Sequence, residues 1–408
     1  MFVTVEGVKP PLRAARAATF LYFVLAGTLI GTWVVHIPAV EARVGISHAT
    51  LGSLLVLLGL GAFAGMQVAG PLTDRLGPRL VVPATGVLAS ATLLLPGLAR
   101  DPWTLAGALL LFGFCNGCLD VSMNAHAVHV EKAYGRPVMS AFHATFSVGG
   151  VIAALAAAGA AGAGMSPAAT LGASAALGIV IALASARSLL PGTPVTATAT
   201  PAERAPAAER RRTAGRIWIL AALALTTMLC EGAANDWSTL HLKDVLGAPA
   251  STAAFGYGTF AAAMTTGRLL ADRVAGRFGS MAVLRYGSAT AAVGITIAAF
   301  APSPWAAFVG WALFGLGLSG CIPQLFSAAG HADPAAAGAN VSRVAGLGYL
   351  GMLAGPAVIG WLTHLTALNH TFLLLTLLSA TTALAAGVLR PGSGATPEPE
   401  PEPASSRH

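Results

Sequence analysis

The sequence predicts an all-α membrane protein, and three observations lead there. Of 408 residues, 55% are hydrophobic and 10% are charged, where a soluble globular chain carries about 25% charged residues. The mean hydropathy is +0.72, so the chain cannot cover itself with a solvated polar surface. The apolar residues also gather into twelve runs, each close to the roughly 20 residues that a helix needs to cross a bilayer. These observations exclude an ordinary soluble enzyme, a disordered chain and a secreted disulfide scaffold.

The runs lie at roughly 17–38, 50–71, 80–99, 103–127, 139–162 and 168–190, then 216–240, 252–271, 281–301, 304–327, 340–363 and 370–389. Helices rather than strands follow from run length and from the need to satisfy every backbone group inside lipid. The first run follows Lys9, Arg13 and Arg16; it exceeds a signal-peptide core and lacks a cleavage site, so it reads as a retained span. Abundant Ala and Gly suit close helix–helix approach. The division at Gly162–Pro167 is blurred by an Ala/Gly-rich stretch.

Charge sets the orientation. The formal net charge is +7; in so apolar a chain the excess belongs to cytoplasmic loops rather than to a nucleic-acid surface. With the N-terminus cytoplasmic, the 23 Lys and Arg residues divide 20 inside to 3 outside (Arg43, Arg100 and Lys243). An odd number of spans would scramble that split, so both termini are expected in the cytoplasm. Residues 191–214 are Pro/Ala/Thr-rich and end in an arginine run, which reads as a cytoplasmic linker. It divides the chain into six-span bundles at 1–190 and 215–390, followed by a disordered tail at 391–408 with a Pro-Glu repeat.

An internal repeat emerges at the end of the second span of each bundle. The first copy runs Gly70-Pro-Leu-Thr-Asp74-Arg75-Leu-Gly77-Pro-Arg79; the second carries Gly267-Arg268, Asp272-Arg273 and Gly276-Arg277. The Asp-Arg pairs stand 198 residues apart. In the second copy the leading glycine comes one residue early and the internal one a residue late. The first copy resembles the G-x-L-x-D-R-x-G-x-R signature of the major facilitator superfamily, and the likeness extends over nearly the whole chain. It implies twelve helices in two six-helix bundles, transport by alternating access, and a conformational latch at Gly70, Asp74, Arg75, Gly77, Arg79, Asp272 and Arg273.

A narrower resemblance lies in the fourth and fifth spans. Leu119-Asp120-Val-Ser-Met-Asn124 looks like the Leu-Glu-x-x-x-Asn element of fucose-permease-like proton symporters. The stretch from Gly135 to Gly150, including Phe142-His143 and Phe146-Ser147, is similar to the MosC-like branch, linked by name to inositol-type compounds. Trp33 through Pro38 and Gly348-Tyr349 fit the same branch.

Ionisable groups inside a span are costly and are functional candidates by default. Asp120, with Asn116 and Asn124 at i−4 and i+4, forms a polar stripe on one helical face. It could handle protons or sugar hydroxyls, or pair structurally with a neighbouring helix. Glu231 stands in the seventh span, with Asn235 on its face and Asp236 nearer the boundary. In the superfamily fold the first, fourth, seventh and tenth spans line the cavity, so Asp120 and Glu231 would face each other across it. That is the arrangement a proton-coupled step requires.

The symporter pattern also uses an acid in the first span, where this chain offers Trp33 and His36. His36 could rearrange the coupling or be merely hydrogen-bonded. His143, Phe146 and Ser147 share a face that could stack on a sugar ring or pack as core. In the tenth span Ser319, Pro323 and Gln324 offer a kink and a cavity amide; Tyr349 could be packing or ligand contact. Trp237 and Trp361 are expected at the outer interface, outside the site.

The expected function is secondary active transport of a small polar, sugar- or polyol-like solute across the cytoplasmic membrane, coupled to protons. The alternative is a proton-antiporting exporter of drugs or natural products. Exporters of that type carry Gly-Pro in the fifth span, whereas here Gly149-Gly150 stands there and Gly355-Pro356 lies in the eleventh. An enzyme is disfavoured, since no HExxH, Walker or Ser/His/Asp context occurs. Cys115 and Cys118 read as helix packing, and His126 with His129 has no nearby acidic ligand except Glu131. No cofactor or metal is expected, and the bilayer, the solute and protons are the partners of a monomer.

Overall fold

The computed structural model describes residues 10–46, 48–191, 207–333 and 336–390. Most of the expected linker (192–206) and the expected disordered tail (391–408) lie outside the described residues, as does Lys9. Among the described residues the regular structure is helical. The first half comprises α1 (Pro10–Val44), α2 (His48–Leu76), α3 (Pro78–Leu98), α4 (Pro102–Tyr134), α5 (Met139–Gly162) and α6 (Pro167–Ala186). The second comprises α7 (Ala207–Leu240), α8 (Ala250–Phe278), α9 (Ser280–Ala299), α10 (Pro304–Leu318), α11 (Cys321–Ala332), α12 (Ala337–Leu362) and α13 (Leu368–Ala385). Counting α10 and α11 as one, eleven of these are long and apolar enough to cross a membrane. The twelfth long helix, α8, carries Arg268, Asp272, Arg273 and Arg277.

Local chemistry explains the boundaries. Proline opens α4 and α6 at a position where the missing N–H would have no partner. Asp101, the exposed cap of α4, accepts from the backbone N–H groups of Thr104 and Trp103. Those bonds, that of Thr104 first, hold its carboxyl below the usual carboxylate range. Ser166 caps α6 through Ala169, so the blurred Ala/Gly stretch does divide at Gly162–Pro167.

Two boundaries differ from expectation. α7 begins at Ala207, so the arginine run 210–212 belongs to a helix and not to the linker. The tenth span does not bend at Pro323; it breaks upstream, between α10 and α11. Pro323 has no N–H to give the carbonyl of Ser319 four residues earlier. The helix therefore ends at Leu318 and restarts at Cys321, which places Pro323 harmlessly in a first turn.

Each half has its own apolar core. Phe23, Phe112 and Phe142 anchor the first; Phe260, Trp311, Phe314 and Phe372 form an aromatic cluster in the second. A third cluster crosses the seam, joining Met66, Ala69 and Val121 to Leu325, Phe326 and Val344. The halves meet where α2 packs on α12 and α5 on α8, with α11 laid against α4 and α5.

Small residues set the helix spacing. A Cβ on Gly113 or Gly117 of α4 would overlap the α2 carbonyls of Leu58 and Ala62. In the second half Gly351 and Gly355 of α12 lie against the α7 carbonyls of Leu225 and Leu229. The glycines before Pro356, weighed above as an exporter motif, thus pack two helices of one half together. Gly117→Val should lower the thermal unfolding midpoint of the purified protein by several degrees, since overpacking costs about 1–3 kcal/mol. Gly107→Ala, where a Cβ meets nothing within 4 Å, should leave the midpoint unchanged.

Candidate functional site

Asp120 sits just past the middle of α4, partly exposed, at one end of a polar chain. The Asn124 amide donates to the Asp120 backbone carbonyl at 2.9 Å and to its Oδ1 at 3.3 Å. His143 Nε2 lies 3.1 Å from Asn124 Oδ1. Because the Asn124 amide nitrogen is turned to Asp120, Nε2 carries the hydrogen and donates. The imidazole packs edge-on between Phe23 of α1 and Phe326 of α11. Phe326 belongs to the other half, so this chain ends on the seam.

A second polar chain starts one turn further along α5. Arg268 of α8 donates to Ser147 Oγ at 3.3 Å and to Glu231 Oε1 at 3.1 Å. The side chains of Arg268 and Glu231 are 16% and 15% exposed, a largely buried ion pair within the second half. Arg268 also has a buried Nε with no hydrogen-bond partner among the described residues. His143 and Ser147 are i and i+4 on α5, so that helix carries one member of each chain. Between them the two chains draw on α4, α5, α7 and α8.

Arg268 is the residue that the sequence reading misplaced. It sits beside the repeated motif and was counted among the loop arginines; the structure turns it inward. An ionisable residue one position from a conspicuous loop motif looks like part of that motif. Helical spacing gave the only warning, since Arg268 lies one turn before Asp272 and away from the exposed Arg273 and Arg277.

Other candidates fall in different places. Trp33 is packed in the first core at 2% exposure and presents no surface to a solute. His36 is buried, with Nδ1 donating to the Thr32 carbonyl of its own helix at 2.7 Å, a bond that needs no coupling role. Asn116 is buried with an unpartnered Oδ1, on the Asp120 face but not joined to the chain. Phe146 packs against the first core. Asn235 is partly exposed and Asp236 exposed, beyond Glu231 on α7. Tyr349 is half-buried beside the seam cluster. Gln324 faces a cavity at the end of the bundle that carries the repeated motif, together with Glu131 and Ser327, and not the Asp120 chain. Trp237, near the end of α7, donates its Nε1 to the Pro356 carbonyl at 3.1 Å, tying α7 to α12.

The repeated motif resolves into a reciprocal pair of caps. Asp74, at the end of α2, accepts from Gly338 N at 2.7 Å and Ala339 N at 2.8 Å, in the first turn of α12. Asp272 of α8 accepts from Ser140 N at 3.0 Å and Ala141 N at 2.6 Å, in the first turn of α5. Each half thus supplies a carboxylate to a helix N-terminus of the other. Gly70 allows the approach, since a Cβ there would stand 2.5 Å from Ser342 Cβ.

The arginines do not take part. Arg75 and Arg273 are exposed, and Arg79 donates to the Arg187 carbonyl within its own half. The shifted glycine of the second copy also has a reason. α2 ends two residues past Asp74, and Gly77 makes the turn with φ +80°. α8 runs six residues past Asp272, one further turn, and Gly279 makes the corresponding bend with φ +84°.

Two seam contacts were not read from sequence. Lys132 Nζ donates to the Gly330 carbonyl at 2.8 Å. Glu131 accepts the Ser327 hydroxyl, and its other oxygen accepts Val138 N and Met139 N at 3.0 Å each. His126, weighed above as a metal ligand, accepts from Leu190 N and faces Thr19 Oγ1, pinning the end of the first half.

The family model of the Major Facilitator Superfamily matches residues 18–346 and 237–408 of this chain. The chain belongs to the major facilitator superfamily. This major facilitator is 37% identical over 381 residues to an uncharacterized MFS-type transporter of Yersinia pestis, covering 93% of the chain and 97% of that relative. It is 29% identical to the membrane protein MosC of Rhizobium meliloti, over 90% of the chain and 88% of MosC. Among solved structures it superposes on the transporter FucP in the outward conformation, with TM-score 0.75 at 16% identity, covering 92% of this chain and 98% of FucP. Another structure of FucP describes it as the Escherichia coli fucose:proton symporter. The protein is therefore a multi-pass membrane transporter, not an enzyme.

Removing one cap should loosen the seam. A hydrogen bond to a charged group contributes about 1.5–3 kcal/mol, so Asp74→Asn should raise the open population at this end about tenfold or more. A cysteine at Ser342, which is 2% exposed and bonded to the Met66 carbonyl, reports it in a background lacking the native cysteines. Maleimide labelling should be slow in the parent and about tenfold or more faster with Asp74→Asn or Asp272→Asn.

Proposed function

We propose that this transporter moves a small polar, sugar- or polyol-like solute by alternating access, coupled to protons, across the cytoplasmic membrane. The observation that carries the reading is the pair of polar chains, Asp120–Asn124–His143 and Glu231–Arg268–Ser147, meeting on successive turns of α5. A solute with several hydroxyl groups finds both donors and acceptors there, beside the ring of Phe326. The ion pair supplies a switch: protonating Glu231 removes the charge that holds Arg268. Arg268, already bonded to Ser147, then turns to solute oxygens, which couples a proton to the contact between the halves. Breaking a buried pair outright is costly, about 3–5 kcal/mol, so the pair opens only when a proton or solute compensates.

The two caps act as the latch of the cycle. They are made in the present arrangement, closed at the motif end, and must break when that end opens. The bias of Lys and Arg towards this end supports its placement in the cytoplasm, with both termini there; the bias survives without Arg268. The exporter reading has less support, because Gly351 and Gly355 are accounted for by packing on α7.

Reconstituted into proteoliposomes, the protein should take up radiolabelled myo-inositol or L-fucose when a proton gradient is imposed. Asp120→Asn and Glu231→Gln should each reduce gradient-driven uptake at least tenfold while leaving exchange at equal solute concentrations. Uptake indifferent to the gradient would remove the coupling. Thermal stabilisation by tetraphenylphosphonium, with none by either polyol or sugar, would reverse the choice of solute.

A further inference from the structure

We propose that the cavity between α4, α7, α9 and α11 at the motif end binds a small oxyanion, a carboxylate or a phosphate, held across the two halves. The cavity has a volume of about 610 Å³, and Glu131, Lys132, Arg216, Ser280, Gln324 and His331 line it. It is separate from the Asp120 site. Glu131 lies eleven residues beyond Asp120 on α4, about 16 Å at the helical rise.

The lining has donors in excess. Gln324 is 2% exposed, and its Nε2 has no hydrogen-bond partner among the described residues. The buried Nε of Arg216 also lacks one. Ser280, which lines the cavity, opens α9, and the cap residue Gly279 offers no side chain to the start of that helix. Lys132 spends one hydrogen on Gly330, and Arg136 at the rim lies 4.9 Å from the Tyr134 ring.

Acceptors are already committed. Glu131 gives one oxygen to the Val138 and Met139 N–H groups and the other to Ser327. Asp333, at the end of α11, stands close enough to act on Lys132. Neither is a hydrogen-bond partner of Arg216 Nε or Gln324 Nε2. A buried guanidinium Nε and a buried amide donor without hydrogen-bond partners are costly, and an oxyanion satisfies both at once. Because α4 belongs to one half and α7, α9 and α11 to the other, a bound oxyanion holds this end closed.

Two sources share this chemistry. One is a free anion of the cytoplasm. The other is the chain itself: Leu389 lines the cavity, and Glu398, Glu400 and Glu402 begin nine residues later, a stretch that spans up to about 30 Å.

The test follows thermal unfolding of the purified full chain with sodium succinate or inorganic phosphate against chloride at matched ionic strength. It uses the parent and the triple variant E398Q/E400Q/E402Q. A free ligand predicts that either anion raises the midpoint by several degrees in both proteins. Occupancy by the tail predicts a flat response in the parent, with a lower midpoint and a regained response in the triple variant. In both cases Arg216→Gln abolishes the response and Arg285→Gln, outside the cavity, retains it; Gln324→Leu replaces Arg216→Gln if that variant does not fold. No midpoint rise in either protein, or a rise that survives both cavity substitutions, overturns the proposal.

Discussion

Two helices, α5 and α12, begin inside the seam between the halves, and their first N–H groups must find acceptors there. A helix leaves its first four N–H groups unpaired, and an apolar environment makes each one expensive. Here the acceptor comes from the opposite half in both cases, Asp272 for α5 and Asp74 for α12. A negative charge at a helix N-terminus is also favoured by the helix dipole. This reciprocal capping makes the closed arrangement self-consistent, and the remaining seam contacts fall into place around it. Lys132 reaches Gly330, Ser342 reaches the Met66 carbonyl, and the apolar cluster around Leu325 and Val344 shuts behind them.

The same seam explains why α5 matters most to the site. Its N-terminus is held by Asp272 and Glu131, and about one and two turns on it presents His143 and Ser147. A movement that breaks the Asp272 cap therefore displaces the residues that touch both polar chains. In the proposed cycle, latch and site would be coupled through this one helix, with no separate relay needed. Arg268 completes the link, since it stands one turn from Asp272 on α8 and joins Glu231 to Ser147.

Much of this was legible in the sequence. Apolar runs marked the helices, eleven of which are long and apolar enough to cross a membrane, proline and small polar residues marked several helix starts, and the repeat paired Asp74 with Asp272. Asp120, Asn124, His143 and Ser147 stood out as polar groups in apolar surroundings. Less legible were residues whose surroundings look ordinary. Trp33 and His36 seemed available for a site, yet one is core and the other is satisfied within its own helix. Gln324 was read into the central cavity and lines another.

The sequence by itself determined which segments are helical and which pairs correspond between halves, because bilayer thickness and backbone satisfaction act on each segment locally. Only the tertiary structure decided the partners. Glu231 meets Arg268 over 37 residues, Asp74 meets Gly338 over 264, and Lys132 meets Gly330 over 198. Periodicity states which face of a helix is polar, but not which charge will stand opposite it. That depends on how close glycines let helices approach and where a broken helix ends, quantities set by packing of the whole bundle.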